Sequence, residues 1–215
     1  MKPPFDLSVY FITDPEFCRA RGLVETVRAA VAGGATMVQL RDPVAKTRAL
    51  VEEARALVAL LRPQGIPLII NDRADVALAA DADGLHVGQA DLSPADARRL
   101  IGPDRILGLS ITAEADLAGV DYLGVGPIFA TATKPDAAPP IGTAGLRAIA
   151  TRVSLPIVAI GGIHAGNAGQ TIGAGARGIA VVSAIAAAVD PEAATRQLRD
   201  LVGAGQIRFS ADSRS

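Results

Sequence analysis

The sequence has a single cysteine, Cys18, and no tryptophan, and aromatic residues make up only 3% of the chain. One cysteine excludes an intrachain disulfide and fits a reducing compartment. With so few rings, the core has to be built from alanine, valine, isoleucine and leucine, the residues of buried parallel strands and the helices that cover them. Histidine is also scarce, at two residues, which disfavours a zinc centre. Charge of one sign is missing: 21 Lys and Arg stand against 22 Asp and Glu, for a net charge of −1, and no basic block stands out. A nucleic-acid or anionic-membrane binder is thereby disfavoured. The most apolar stretch, Gly178 to Val189, is too short to span a bilayer, and the N-terminal Met-Lys-Pro-Pro-Phe-Asp lacks a signal-peptide core. A soluble cytoplasmic protein is the expectation.

What the chain does have is alternation. Short β-rich runs occur at Leu7–Thr13, Met37–Arg41, Leu68–Asn71, Gly84–Val87, Ile106–Ser110, Tyr122–Gly126, Ile157–Gly161 and Gly178–Val182. Between them lie Ala-rich helical runs at Pro15–Ala32, Lys46–Leu61, Ala74–Ala79, Pro94–Leu100, Ala113–Ala118, Thr143–Arg152, Ala165–Ala174 and Pro191–Val202. The helical runs repeat apolar residues at three- and four-residue spacing, whereas the strands are continuously apolar and so buried on both faces. This pattern predicts a single-domain (β/α)8 barrel over residues 1–205, with a polar, frayed tail at 206–215. A doubly wound open sheet is disfavoured, since no Gly-x-Gly-x-x-Gly fingerprint follows the first strand.

In such a barrel the C-terminal strand ends build the active site. Gln39 and Arg41 alternate with apolar neighbours and should point into the mouth together, where Arg41 needs an anionic partner, either a ligand or an internal carboxylate. The third strand ends Asn71-Asp72-Arg73-Ala74-Asp75. Helix capping would account for one of its polar residues without accounting for the group. Asp91 follows the fourth strand and should lie near Asp72; two carboxylates in a sulfur-free setting favour a hard cation, best Mg2+ completed by substrate phosphates. Ser93 is better placed than Asp91 to cap the helix at Pro94. His86 reads as a satisfied strand histidine and not as a base. Ser110 leaves a hydroxyl at the fifth strand end. Thr131-Ala-Thr-Lys134 offers two hydroxyls and a cation in a small volume, suited to a phosphate. Gly161-Gly162 after the seventh strand and the small residues Val182-Ser183 after the eighth expose backbone N–H groups where barrels commonly bind phosphate.

Assembled in this order, Val38-Gln-Leu-Arg41, Ile69-Ile-Asn-Asp-Arg73, Ala82 to Asp91, Gly124-Val-Gly-Pro-Ile-Phe129, Thr131-Ala-Thr-Lys-Pro135, Ala159-Ile-Gly-Gly-Ile163 and Ala180-Val-Val-Ser183 resemble the thiamine phosphate synthase family, from about Tyr10 to Leu201. The resemblance implies that a pyrimidine diphosphate and a thiazole phosphate are joined, with release of pyrophosphate, and that the small-molecule substrates are the partners. It further implies that Gln39, Arg41, Asn71, Ser110 and Lys134 contact the pyrimidine diphosphate, that Asp72 and Asp91 hold Mg2+, and that Thr131, Thr133, Gly162, Val182 and Ser183 cradle the thiazole phosphate. Arg41, Ser110 and Lys134 are the implied catalytic groups, with Mg2+, Arg41 and Lys134 stabilising the leaving pyrophosphate. The chain departs from the family pattern Gln-x-Arg-x-Lys at Pro43, which occupies the Lys position; Lys46, three residues on, is the expected substitute. It departs again at Ile111. Pro43 gives some support to two other readings, a thiazole tautomerase paralogue or a non-catalytic phosphate-binding barrel. The tautomerase places a His where this chain has Gly126-Pro127. Oligomeric state is not legible.

Overall fold

Runs of valine, isoleucine and leucine cannot leave either face in water, and the fold buries both by closing the sheet on itself. In the computed structural model, β1 (Val9–Ile12), β2 (Met37–Leu40), β3 (Leu68–Asn71), β4 (Gly84–Val87), β5 (Ile106–Ile111), β6 (Tyr122–Val125), β7 (Ile157–Ile160) and β8 (Gly178–Val181) follow one another around a closed barrel, and β8 pairs back onto β1. Every neighbouring pair is parallel. The structure describes residues 1–112, 115–131, 133 and 138–212, with the backbone alone for 208–212. The expected (β/α)8 barrel is what the chain forms.

The helices α1 (Pro15–Cys18), α2 (Leu23–Ala32), α3 (Thr47–Leu61), α4 (Ala74–Ala79), α5 (Pro94–Ile101), α6 (Gly142–Ala150), α7 (Ala168–Gly173), α8 (Ser183–Ala186) and α9 (Pro191–Asp212) surround the strands. Their apolar faces meet the outward strand residues in one continuous layer that includes Leu50, Leu57, Leu61, Val76, Ile101 and Leu146. A second, smaller core fills the barrel itself: Tyr10, Ile12, Met37, Ile69, Ile106, Tyr122 and Val158. Each fully buried Leu, Ile or Val contributes roughly 1.5–3 kcal/mol against its exposed state. The barrel is therefore a packed plug with its opening at the strand C-termini.

Two helical expectations need correction. The run Pro15–Ala32 is two helices. Asp14 caps the first through Glu16 N (3.0 Å) and Phe17 N (3.3 Å), and Gly22, at φ 88°, starts the second from a conformation that L side chains rarely adopt. The run expected at Ala113–Ala118 is not helical over Ala115–Ala118, the part of it that lies among the described residues. There the Asp116 carboxylate accepts from Ala118 N at 3.0 Å, a local turn that competes with a helix too short to nucleate. At the other end of the chain α9 extends through Gln206, whose amide donates to Arg177 O at 2.7 Å. No helix among the described residues is long and apolar enough to cross a membrane.

Candidate active site

The mouth of the barrel holds a cavity of about 980 Å³, walled by the loops after β4 to β8. Beneath it a pocket of about 110 Å³ reaches into the barrel, and the two share Ser110, Gly124, Thr133, Ile160, Ala180 and Val182. A ligand can therefore occupy two connected compartments, one wide and one narrow.

The narrow compartment has a polar floor. Gln39 is 2% exposed, and its Nε2 donates to Tyr10 OH at 2.7 Å. Tyr10 OH lies 2.9 Å from Tyr122 OH, which lies 2.8 Å from His86 Nδ1; His86 Nε2 then meets Ser110 Oγ at 2.8 Å. His86 is thus satisfied at both nitrogens, and burial pushes its pKa down to about 4 although the charge of Asp91 acts in the opposite direction. Burial likewise raises both tyrosines, so the line is neutral. Room for it comes from Gly108 and Gly124. A Cβ at Gly108 would fall 2.2 Å from Tyr122 Cζ and 2.4 Å from His86 Nδ1, and one at Gly124 would fall 3.2 Å from His86 Cε1. Tyr10 and Tyr122 escaped the reading of strand ends because they sit deeper in their strands. The available signal was that the chain's two tyrosines both lie in strands beside glycine-containing neighbours.

The rim is charged. Arg41 lines the narrow pocket and finds its carboxylate in Asp14, at 3.6 Å, not in Asp42. Asp42 instead accepts from Val44 N and Ala45 N in its own turn. At 3.6 Å the Arg41–Asp14 contact is longer than a hydrogen bond, and the guanidinium retains donors for a further anion. Asp72 is held at φ 60°, and its N–H continues the ladder to His86 O at 2.8 Å. Asn71 Nδ2 donates to its Oδ2 at 2.6 Å. Neither residue caps α4, which begins after Arg73 without a side-chain cap. Asp91 faces Asp72 within hydrogen-bonding reach and also accepts from Gly88 N at 2.9 Å. Lost hydration, followed by the Asp91 charge, pushes the Asp72 pKa up to about 6, while Asn71 and Arg41 act in the opposite direction. Ser93 caps α5 through Asp96 N at 3.1 Å, leaving Asp91 free of that duty. Among the described residues no cluster of three or more His, Cys, Asp or Glu could hold a metal alone.

The wide compartment is lined by Thr131, Thr133, Gly162, Val182 and Ser183. Thr133 N donates to Thr131 Oγ1 at 3.3 Å. Gly161 and Gly162 both have positive φ, and a side chain on either would strike the loop after β6: Pro127 Cβ at 2.5 Å and Ala130 O at 2.4 Å. That loop in turn donates Ile128 N to Ile160 O and Phe129 N to Gly161 O. Asn167, which the strand-end reading omitted, fixes the same turn by donating to Gly162 O at 2.9 Å. Lys134 lies outside the described residues. Lys46 is exposed just before α3 and lines neither compartment.

The sequence model of the thiamine monophosphate synthase family matches residues 9–185. A thiamine-phosphate synthase from Xanthobacter autotrophicus is 60% identical over 207 residues, covering 94% of this chain and 98% of the relative. One from Azorhizobium caulinodans is 55% identical over 207 residues with the same coverage. Among solved structures, a thiamine phosphate pyrophosphorylase from Pyrococcus furiosus superposes with a TM-score of 0.84 at 40% identity, covering 93% of this chain and 97% of that one.

Proposed function

The chain belongs to the thiamine monophosphate synthase family, and we propose that this transferase of thiamine biosynthesis joins 4-amino-5-hydroxymethyl-2-methylpyrimidine diphosphate to a thiazole phosphate, releasing pyrophosphate, in the cytoplasm. The observation that carries the reading is the pairing of two compartments with two kinds of anion site. Arg41 lines the narrow pocket, Asp91 faces Asp72 and lines the wide one, and a cradle of hydroxyls and glycine turns completes the wide one.

The residues fit a Mg2+ ion. Asp72 and Asp91 face each other as like charges, and the raised Asp72 pKa marks a pair short of positive charge. Two carboxylates without a third protein ligand suit a hard cation that takes its remaining oxygens from phosphate and water. Bound there, the ion supplies charge neutralisation to the diphosphate. Arg41, tethered loosely to Asp14, turns its guanidinium to the same oxygens and favours departure of the pyrophosphate over its retention. Ser110 and Asn71 orient the diphosphate-bearing substrate in the narrow pocket, above Gln39. Lys134 is read as the second cation on the leaving group. Thr131, Thr133, Gly162, Val182 and Ser183 hold the thiazole phosphate, which fixes the attacking nitrogen opposite the methylene carbon and lowers the entropic part of the barrier. No side-chain nucleophile is required.

Incubating the protein with both substrates and Mg2+ and assaying thiamine phosphate tests the reading. Turnover supports it. Absence of product at high enzyme, with thiazole phosphate still bound, supports instead the non-catalytic barrel to which Pro43 lends weight.

A further inference from the structure

Among the described residues, the buried side chains of Gln39, Tyr10, Tyr122 and His86 hydrogen-bond only with one another and with Ser110. We infer that Gln39, Tyr10, Tyr122 and His86 form a one-way hydrogen-bonded line that fixes Ser110 as a donor into the active-site cavity, His86 being its immediate positioning residue. The inference rests on the synthase reading only for the identity of the ligand that Ser110 meets.

The direction follows from the end of the line. Gln39 Nε2 has hydrogens and no lone pair to offer, so Tyr10 OH accepts at 2.7 Å. Its own proton is then free for Tyr122 OH at 2.9 Å, and the proton of Tyr122 for His86 Nδ1 at 2.8 Å. A neutral imidazole that accepts at Nδ1 carries its hydrogen on Nε2, which donates to Ser110 Oγ at 2.8 Å. The serine hydrogen is left without a partner on the floor and turns toward the cavity that Ser110 lines. Reversing the line would give Ser110 hydrogen to His86 and present an oxygen lone pair to an anionic substrate, which is repulsive.

The register shows that the line is built into the barrel. His86 pairs with Gly108 across β4 and β5, and Gly108 pairs with Tyr122 across β5 and β6. With no side chain at 108, the imidazole and phenol meet over the glycine, their ring centroids 5.5 Å apart. Any larger residue there would separate them.

Two measurements test this. Nitrogen-15 NMR of the full-length, metal-free protein, assigned with His164→Gln, is expected to show His86 neutral at neutral pH with hydrogen on Nε2; hydrogen on Nδ1 overturns the inference. In steady-state assays, Ser110→Ala is expected to lower kcat/KM about a hundredfold and Tyr122→Phe about tenfold, while the double variant falls no further than Ser110→Ala alone. The same tenfold loss in the Ser110→Ala background, or none in either, assigns Tyr122 a structural role and overturns the inference. If the wild-type protein makes no thiamine phosphate, the synthase reading fails, and the nitrogen spectra still decide the tautomer.

Discussion

The floor and the rim of this barrel handle polar groups in opposite ways. On the floor, Gln39, Tyr10, Tyr122, His86 and Ser110 are neutral and satisfy one another, and among the described residues no buried side-chain nitrogen or oxygen lacks a partner. On the rim, Asp72 and Asp91 repel, and Arg41 is held at a distance by Asp14. A buried group left without a partner costs about 1–3 kcal/mol, so the interior has to be complete before any ligand arrives. Groups near solvent can stay imbalanced because water screens them, and on the proposed reading an incoming cation and diphosphate would relieve that imbalance. The floor is thus internally satisfied and the rim is left with unbalanced charge.

That division can be broken from either side. The largest expected effect follows from the proposed reading of Lys134: Lys134→Ala should lower kcat about 10³-fold, as removal of a group that stabilises developing negative charge does. Retained turnover would remove Lys134 from the chemistry. Asp72→Asn comes next, with Mg2+-dependent activity falling about 10²-fold or more. Asparagine also tolerates the left-handed φ of 60° at this position.

The same variant separates binding from stability through pH. Asp72 has its folded pKa raised to about 6 from an ordinary 3.8, so the metal-free fold takes up this proton more readily than the unfolded chain. The stabilisation is full below the unfolded value and is lost as pH rises through about 6. At neutral pH the ionised group therefore costs stability. Because the carboxylate meets solvent at the rim, the cost is discounted to about 1 kcal/mol, and denaturation of metal-free Asp72→Asn near pH 7 should show a gain of that size that vanishes near pH 4.

On the floor the expected loss is of stability first. Gly108→Ala forces a Cβ into the Tyr122 and His86 rings and should cost about 1–3 kcal/mol in urea denaturation, with a drop in activity as the line opens. An unchanged midpoint would mean that the floor can re-pack. The smallest effect is expected at Lys46→Ala. An exposed ammonium on a flexible stem acts as a screened charge, and the KM for the diphosphate should rise about threefold, with kcat unchanged.

Much of the rim was legible in the chain, because alternation within a strand and the rule that strand ends face the mouth need no long-range information. Arg41, Asp91 and the Gly161-Gly162 turn, and on the floor Ser110, could be singled out on those grounds alone. The Arg41 partner was open in the sequence between an internal carboxylate and a ligand; Asp14 arrives from the end of the neighbouring strand, and the parallel pairing of β1 with β2 brings it near. The non-helical Ala115–Ala118 segment had a local cause, the Asp116 turn, that apolar spacing does not report.

By itself, then, the sequence determined the alternation of strands and helices, the barrel class and the side chains gathered at its mouth, since all of these follow from local period and order. The floor was decided by tertiary structure. Tyr10 and Tyr122 are separated by 112 positions in the chain, and their hydroxyls meet only when the sheet closes and sets the stagger of each strand against the next. That stagger places Gly108 between His86 and Tyr122, and the empty volume of one glycine lets two rings from strands on either side complete a single hydrogen-bonded line.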